Sequence, residues 1–284
     1  MKWMECLPPV LRAELIEMNA ARLTDLRLFA GRTARADTQD GPVLLQTVLD
    51  AQQLYDAAQA LCGHMLRLSP ETTGQGFITL QGGHRMGLCG RVTQKNGALV
   101  LQELGSICLR IAHEVKGCGQ EIANRFLSER GGILLAGAPG SGKTTLLRDA
   151  VRLISEHGAA VGLSDERGEV AACLRGVAQL DVGPNTHVLD GCPKADALRW
   201  LLRALRPEVL AMDEIYGMEE CLSVREAAAG GVPVIATLHA GSIMEAAQRE
   251  GIHMLLAEGI IRHIALLRDG KVIEMQRGAS CCAR

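Results

Sequence analysis

The chain has 284 residues, 48% of them hydrophobic and 22% charged, so it can bury a real core and has length for two ordinary domains. Its net charge of −2 gives no global pull toward nucleic acid, and aromatics at 2% argue against a base-stacking platform for single strands. No apolar stretch is long enough to span a bilayer, and Met1–Pro9, with an early acid and two prolines, lacks the apolar run of a signal peptide, which predicts a cytoplasmic protein.

Residues 8 to about 20 read as a short helix with prolines at its start, and Leu23–Phe29 alternates as a strand. The polar stretch from Gly31 to Gly41 reads as a loop. Asp50 caps a helix predicted to run to about Leu68, with Leu54, Ala57, Ala58, Leu61 and Met65 on one face. Phe77–Leu80, a turn at Gly82-Gly83 and Arg85–Val92 form a predicted hairpin, and Ser106–Ala112 a further strand. Residues 1–116 therefore read as a small α+β domain, and 117–130 as a connecting helix.

From 131 to 284 the pattern becomes buried strands alternating with helices. The predicted strands are 132–136, 160–164, 208–212, 233–238 and 261–267, a doubly wound and mainly parallel sheet, with a last hairpin turned at Asp269-Gly270. After its first strand stands Gly137-Ala138-Pro139-Gly140-Ser141-Gly142-Lys143-Thr144-Thr145, which fits G-x-x-x-x-G-K-[ST] at every fixed position. A short apolar strand precedes it and an amphipathic helix follows. In such a loop glycines let backbone N–H groups turn toward phosphate oxygens, and the helix N-terminus adds partial positive charge. Lys143 would reach the β- and γ-phosphates of ATP, and Thr144 would bind Mg²⁺.

Ser164-Asp165-Glu166-Arg167 follows the next strand. Were that strand beside the phosphate-loop strand, Asp165 or Glu166 would help position water or Mg²⁺; the alternative is a charged loop with a helix cap. In Arg199–Pro207 the arginines either bind phosphate or a neighbouring subunit, or form a solvated helix face. Glu208–Glu214 is an apolar strand ending in two carboxylates, at the edge where open α/β sheets bind ligands. Asp213 fits the Mg²⁺ side, and Glu214 the group that orients and deprotonates water. His239, at the end of another buried strand, stands where a γ-phosphate would be sensed, and Ser242 with Glu245 makes a capping box. The ten cysteines show no C-x-x-C spacing and read as reduced, with Cys89, Cys108 and Cys173 as small buried hydrophobes and Cys281-Cys282 as an exposed tail pair.

These segments in this order resemble the secretion ATPase superfamily, the ring ATPases of type II and type IV secretion. Asp165-Glu166-Arg167 resembles its aspartate box, Arg203–Glu214 its Walker B region and Ala236–Ala240 its histidine box. Leu23–Leu28, Gly82–Leu88, Leu109–Cys118 and Asp165–Glu169 are similar to the family's sporulation branch in endospore-forming bacteria. The resemblance covers nearly the whole chain. It departs at Asp213, where those ATPases usually carry Gly before the glutamate. It implies a RecA-like P-loop core, Lys143, Glu166, Glu214 and His239 as the catalytic set, and a hexameric ring. It further implies an N-terminal domain lending arginines across subunits (Arg85, Arg91 and Arg110 are the candidates, with an ordinary surface role as the alternative). The implied partners are membrane proteins of a sporulation channel complex on the mother-cell side, with no nucleic acid. Other functions open to the same core are a nucleic-acid motor or recombinase-like ATPase, an ABC-type subunit, and a nucleotide-regulated scaffold. The ABC reading lacks its signature, since Trp200–Leu205 occupies that position.

Overall fold

A computed structural model describes residues 2–18, 22–64, 66, 76–95 and 97–281. The chain divides into two compact units, Met1–His113 and Glu114–Arg284. Helix α1 (Pro9–Glu17), strands β1 (Leu23–Phe29), β2 (Arg32–Thr38) and β3 (Gly41–Val48), helix α2 (Ala51–Leu61) and strands β4 (Phe77–Thr79), β5 (Arg85–Lys95) and β6 (Ala98–Arg110) make the first. All its strands pair antiparallel in the order β3-β2-β1-β6-β5-β4. One apolar core, including Leu11, Leu15, Leu26, Leu54 and Leu109, lies against this sheet.

Three expectations for this unit need correction. The polar segment after Gly31 is not a loop. It forms β2, where Ala34 and Ala36 are buried while charged residues take the alternate positions. Small inward alanines carry too little hydrophobic signal to register as a strand. Cys89 is exposed rather than buried, and Cys108 is half-buried. Asp50 does cap α2, in a reciprocal box with Gln53. The helix ends at Leu61; the expected positions Met65 and Leu68 lie outside the described residues, as does Cys282.

The second unit contains α3 (Gln120–Glu129), β7 (Gly132–Gly137), α4 (Lys143–Glu156), β8 (Val161–Asp165), β9 (Thr186–Asp190), α5 (Lys194–Leu205) and β10 (Val209–Met212). It continues through α6 (Met218–Ala229), β11 (Val234–His239), α7 (Ile243–Gln248), α8 (Glu250–Ala257), β12 (Ile261–Arg268), β13 (Lys271–Arg277) and α9 (Gly278–Cys281). The sheet order is β13-β12-β7-β11-β10-β8-β9, parallel except for the β12–β13 hairpin. Helices α3 and α4 cover one face, with Ile133, Leu135, Ala211 and Ile235 beneath them. Helices α5, α6, α7 and α8 cover the other, over Leu134, Ala136, Met212 and Leu238. Strands buried on both faces read as unbroken apolar runs, which is why they are plain in the sequence.

The condition set for Ser164–Arg167, that its strand lie beside the phosphate-loop strand, is not met. β8 is not beside β7: β10 and β11 stand between them.

Candidate nucleotide site

Side-chain alternation decides which residues meet at the carboxyl edge of this sheet. Along β10, Val209 and Ala211 face α4, so Asp213 continues on that face. Along β11, Ile235 faces α4, and Thr237 and His239 follow at the same parity. Thr144 opens α4 itself. Asp213, Thr237 and His239 thus share a face by parity and converge there with Thr144.

The phosphate loop needs its glycines for space. A Cβ on Gly137 would lie 2.4 Å from Ser141 Oγ. Gly142 has φ +90°, and a Cβ there would lie 2.8 Å from the Gly270 Cα. The loop is also tied to the turn between β12 and β13, where Gly270 N–H donates to Ser141 O at 3.0 Å. Among the described residues the buried Ser141 Oγ of this loop has no hydrogen-bond partner.

Lys143 is buried, and its ammonium donates to Gly137 O at 2.9 Å and Ala138 O at 2.8 Å. Burial pulls its pKa below the ordinary lysine value, against the opposing pull of Asp213 and Glu214. It also lies 3.1 Å from His239 Nδ1. An ammonium only donates, so Nδ1 is the acceptor and Nε2 carries the proton. That Nε2–H meets Glu214 Oε1 at 3.0 Å. Arg167 holds the other oxygen, Oε2, at 2.7 Å.

Asp213 accepts from Thr144 Oγ1 at 2.8 Å and from Thr237 Oγ1 at 2.5 Å. Burial raises its pKa above the ordinary aspartate value, and the two hydroxyl hydrogen bonds act the other way. Glu214 has φ +59°, a left-handed conformation uncommon outside glycine, and its N–H donates to Thr237 Oγ1 at 2.7 Å. A hydroxyl and a carboxylate side by side at a phosphate loop suit Mg²⁺, which takes a few hard oxygen ligands and completes its shell with water and phosphate.

Asp165 lies next to the end of β10, since Ser164 is the register partner of Met212, and Glu166 follows it. Glu166 pairs with the buried Lys194 at 2.6 Å. The Asp165 carboxylate accepts from the N–H groups of Glu169, Val170 and Ala171, fastening the loop after β8. The sequence reading also missed Arg167 as the partner of Glu214, Arg249, which donates to His239 O, and Thr237. The shared parity of Thr237 and His239 on β11 was the available signal. Ser242 caps α7 through Glu245 N–H, but Glu245 reaches back to Gly241 N–H instead of the cap residue. Arg199 pairs with Asp196 and Glu226 on an open helix face.

The three N-terminal arginines belong to the first unit. Arg85 stacks over Phe77 at 4.7 Å, Arg91 lies 3.8 Å from Glu103, and Arg110 lies 3.4 Å from Asp25. Arg85 and Arg110 are cross-strand partners of β5 and β6. Buried thiols are held protonated: burial pushes Cys173 up to about 12 and Cys221 to about 11.

A doubly wound sheet with this loop, lysine and acidic strand end defines a RecA-like P-loop NTPase core. The fold is similar to that of the Legionella pneumophila ATPase DotB, at TM-score 0.63 and 18% identity over 96% of this chain and 81% of that one. It is likewise similar to the pilus retraction motor PilT, solved with ADP, at TM-score 0.61 and 18% identity over 89% of this chain and 76% of that one. Residues 12–278 match the family described as sporulation stage III, protein AA, and the chain belongs to that family. It is 32% identical to stage III sporulation protein AA of Bacillus subtilis (strain 168), over 98% of both chains. A partial relative is the type IV pilus assembly ATPase PilB of Acinetobacter baylyi, 30% identical over 51% of this chain and 24% of that protein.

Proposed function

We propose that this chain binds and hydrolyses Mg-ATP, and that as a homo-oligomeric ring it powers a secretion-like membrane channel complex during endospore formation. The observation that carries the reading is the linked set Lys143–His239–Glu214 and Thr144–Asp213–Thr237 at the mouth of the phosphate loop.

In this reading the loop N–H groups and Lys143 bind the triphosphate, the ammonium exchanging its two loop carbonyls for phosphate oxygens. Thr144 and Asp213 would hold Mg²⁺, which neutralises charge on the β- and γ-phosphate oxygens. Glu214 orients a water and takes its proton as the oxygen attacks the γ-phosphorus and ADP leaves. His239, bonded to both Lys143 and Glu214, joins the phosphate side to the base, so it reports γ-phosphate occupancy. Arginines of the N-terminal unit, Arg85, Arg91 or Arg110, complete the site of a neighbouring subunit.

Among the described residues no helix is long and apolar enough to cross a membrane, and a cytoplasmic, mother-cell position peripheral to the channel fits that. An ATPase assay with and without single-stranded DNA tests the reading. The wild type should hydrolyse ATP without DNA, and Glu214→Gln should bind ATP yet hardly turn it over. Glu214→Gln turnover at the wild-type rate would remove Glu214 as the base. Turnover that depends on DNA would favour a nucleic-acid motor.

A further inference from the structure

Thr237 has an unusual number of duties for one threonine. It is completely buried on β11. Its hydroxyl donates to Asp213 Oδ1 at 2.5 Å and accepts the Glu214 N–H at 2.7 Å. Its carbonyl accepts the Ile215 N–H at 2.8 Å. One residue thereby fastens three consecutive residues just past the end of β10.

Those three bonds sit where the chain leaves regular structure. β10 stops at Met212, whose register partner on β11 is Ala236, so the next position across the sheet is Thr237. Beyond that point Glu214 turns into the left-handed region at φ +59°. A non-glycine residue stays there only when its surroundings over-determine it. The Thr237 hydroxyl and carbonyl are those surroundings, because they bond the N–H groups of Glu214 and of the residue after it.

A hydroxyl that donates to one partner and accepts from another transmits polarisation between them. Here the two partners are the Mg²⁺-side carboxylate and the backbone of the proposed base. We infer that Thr237 is a positioning residue whose hydroxyl couples Asp213 to Glu214, so that charge at the metal position and placement of the base are set together. This inference rests on the hydrolase reading above, and it adds that Asp213 and Glu214 are one unit through Thr237.

The geometry distinguishes Thr237 from an ordinary core threonine. Its methyl would be kept by valine, and its hydroxyl by serine. Among the described residues, Thr237→Val leaves Asp213 with Thr144 as its only hydroxyl donor and leaves the Glu214 N–H without an acceptor.

The test compares wild type, Thr237→Val and Thr237→Ser, with Thr237→Ala as a second hydroxyl-free variant should valine not fold. Binding of trinitrophenyl-ATP without metal should stay within about threefold, because Lys143 and the loop are untouched. Loss of a hydrogen bond to a charged group should raise the Mg²⁺ concentration needed for half-maximal effect and lower kcat by roughly 10- to 100-fold, with KM for ATP within a few-fold. The Glu214 amide should exchange faster with solvent in the valine and alanine variants, and serine should restore most of each property.

Valine or alanine variants with wild-type Mg²⁺ dependence and Glu214 amide protection would overturn the inference. So would a serine variant as impaired as valine, since the methyl would then be what matters. Absence of ATP turnover by the wild type would instead refute the hydrolase reading, and the Mg²⁺ titration and amide exchange would still decide the role of Thr237.

Discussion

Replacing Asp165 tests whether the aspartate after β8 serves the loop or the chemistry. Its carboxylate is 1% exposed and accepts N–H groups from Glu169 and Val170 on Oδ1, at 2.8 and 3.1 Å, and from Ala171 on Oδ2 at 2.8 Å. Arg148 of α4 holds the same loop by its carbonyls, at Val170 O and Glu169 O. Asp165→Ala leaves all three N–H groups without their acceptor. Glu169 is exposed and its N–H can turn to water, but Val170 and Ala171 are both fully buried. An unpaired buried N–H costs about 1–3 kcal/mol, so two of them cost roughly 2–6 kcal/mol. Asp165→Asn keeps one carbonyl oxygen for Glu169 and Val170 and loses the acceptor for Ala171, a loss of about 1–3 kcal/mol. Urea denaturation should therefore rank wild type above asparagine above alanine, and amide exchange should quicken at Val170 and Ala171 first. An alanine variant within about 1 kcal/mol of wild type would refute this accounting, which rests on uncompensated buried donors. An asparagine variant that keeps wild-type stability but loses all turnover would return Asp165 to a role with water or metal.

Three further outcomes follow from the site. His239→Ala should leave ATP affinity within a few-fold and cut turnover substantially; lost affinity with normal turnover at saturation would mean a ground-state contact and no sensing. Lys143→Ala should abolish ATP binding, read directly by trinitrophenyl-ATP fluorescence, because one ammonium serves two phosphates. For the shared site, inactive Lys143→Ala protein, which keeps its arginines, is titrated into an inactive Arg85, Arg91 or Arg110 variant, which keeps its phosphate loop. Recovery of activity is expected, since an arginine supplied in trans is worth on the order of 10³ or more in other P-loop enzymes. No recovery in demonstrated mixed oligomers would remove the arginine tested.

The parts of the fold that were legible in the sequence were those buried on two sides. β7, β8, β10, β11 and β12 announce themselves as apolar runs, and the phosphate loop as a fixed pattern of glycines. β2, β3 and β9 were not seen. β9 is an edge strand with no buried residue, and β3 buries only Leu45 and Thr47. Such strands exist because a neighbour offers unpaired backbone, a fact that local composition does not hold. The same limit applied at the site. Lys143, Thr144, Asp213, Glu214 and His239 are each readable from motif and strand end. The partners that connect them are not, because Thr237 meets Asp213 only through the pairing of β10 with β11. The pairing of Glu166 with Lys194 was equally out of reach of its motif.

The strand that carries the phosphate loop has both its neighbours far downstream. β7 is flanked by β11 and β12, built from residues 234–239 and 261–268. During synthesis β7 and its glycine loop emerge with neither edge covered. An apolar strand with two open edges invites pairing with other chains. The loop's anchor at Gly270 arrives later still. Long-range parallel pairing of this kind is intrinsically slow. The nucleotide site therefore has no meaningful half-built form on the ribosome: its first-made strand waits for almost the last, and a chain stalled between residues 140 and 230 carries the motif without the pocket. Chaperone demand and aggregation during expression should peak over that interval, and strand β12 is where added stability would shorten it.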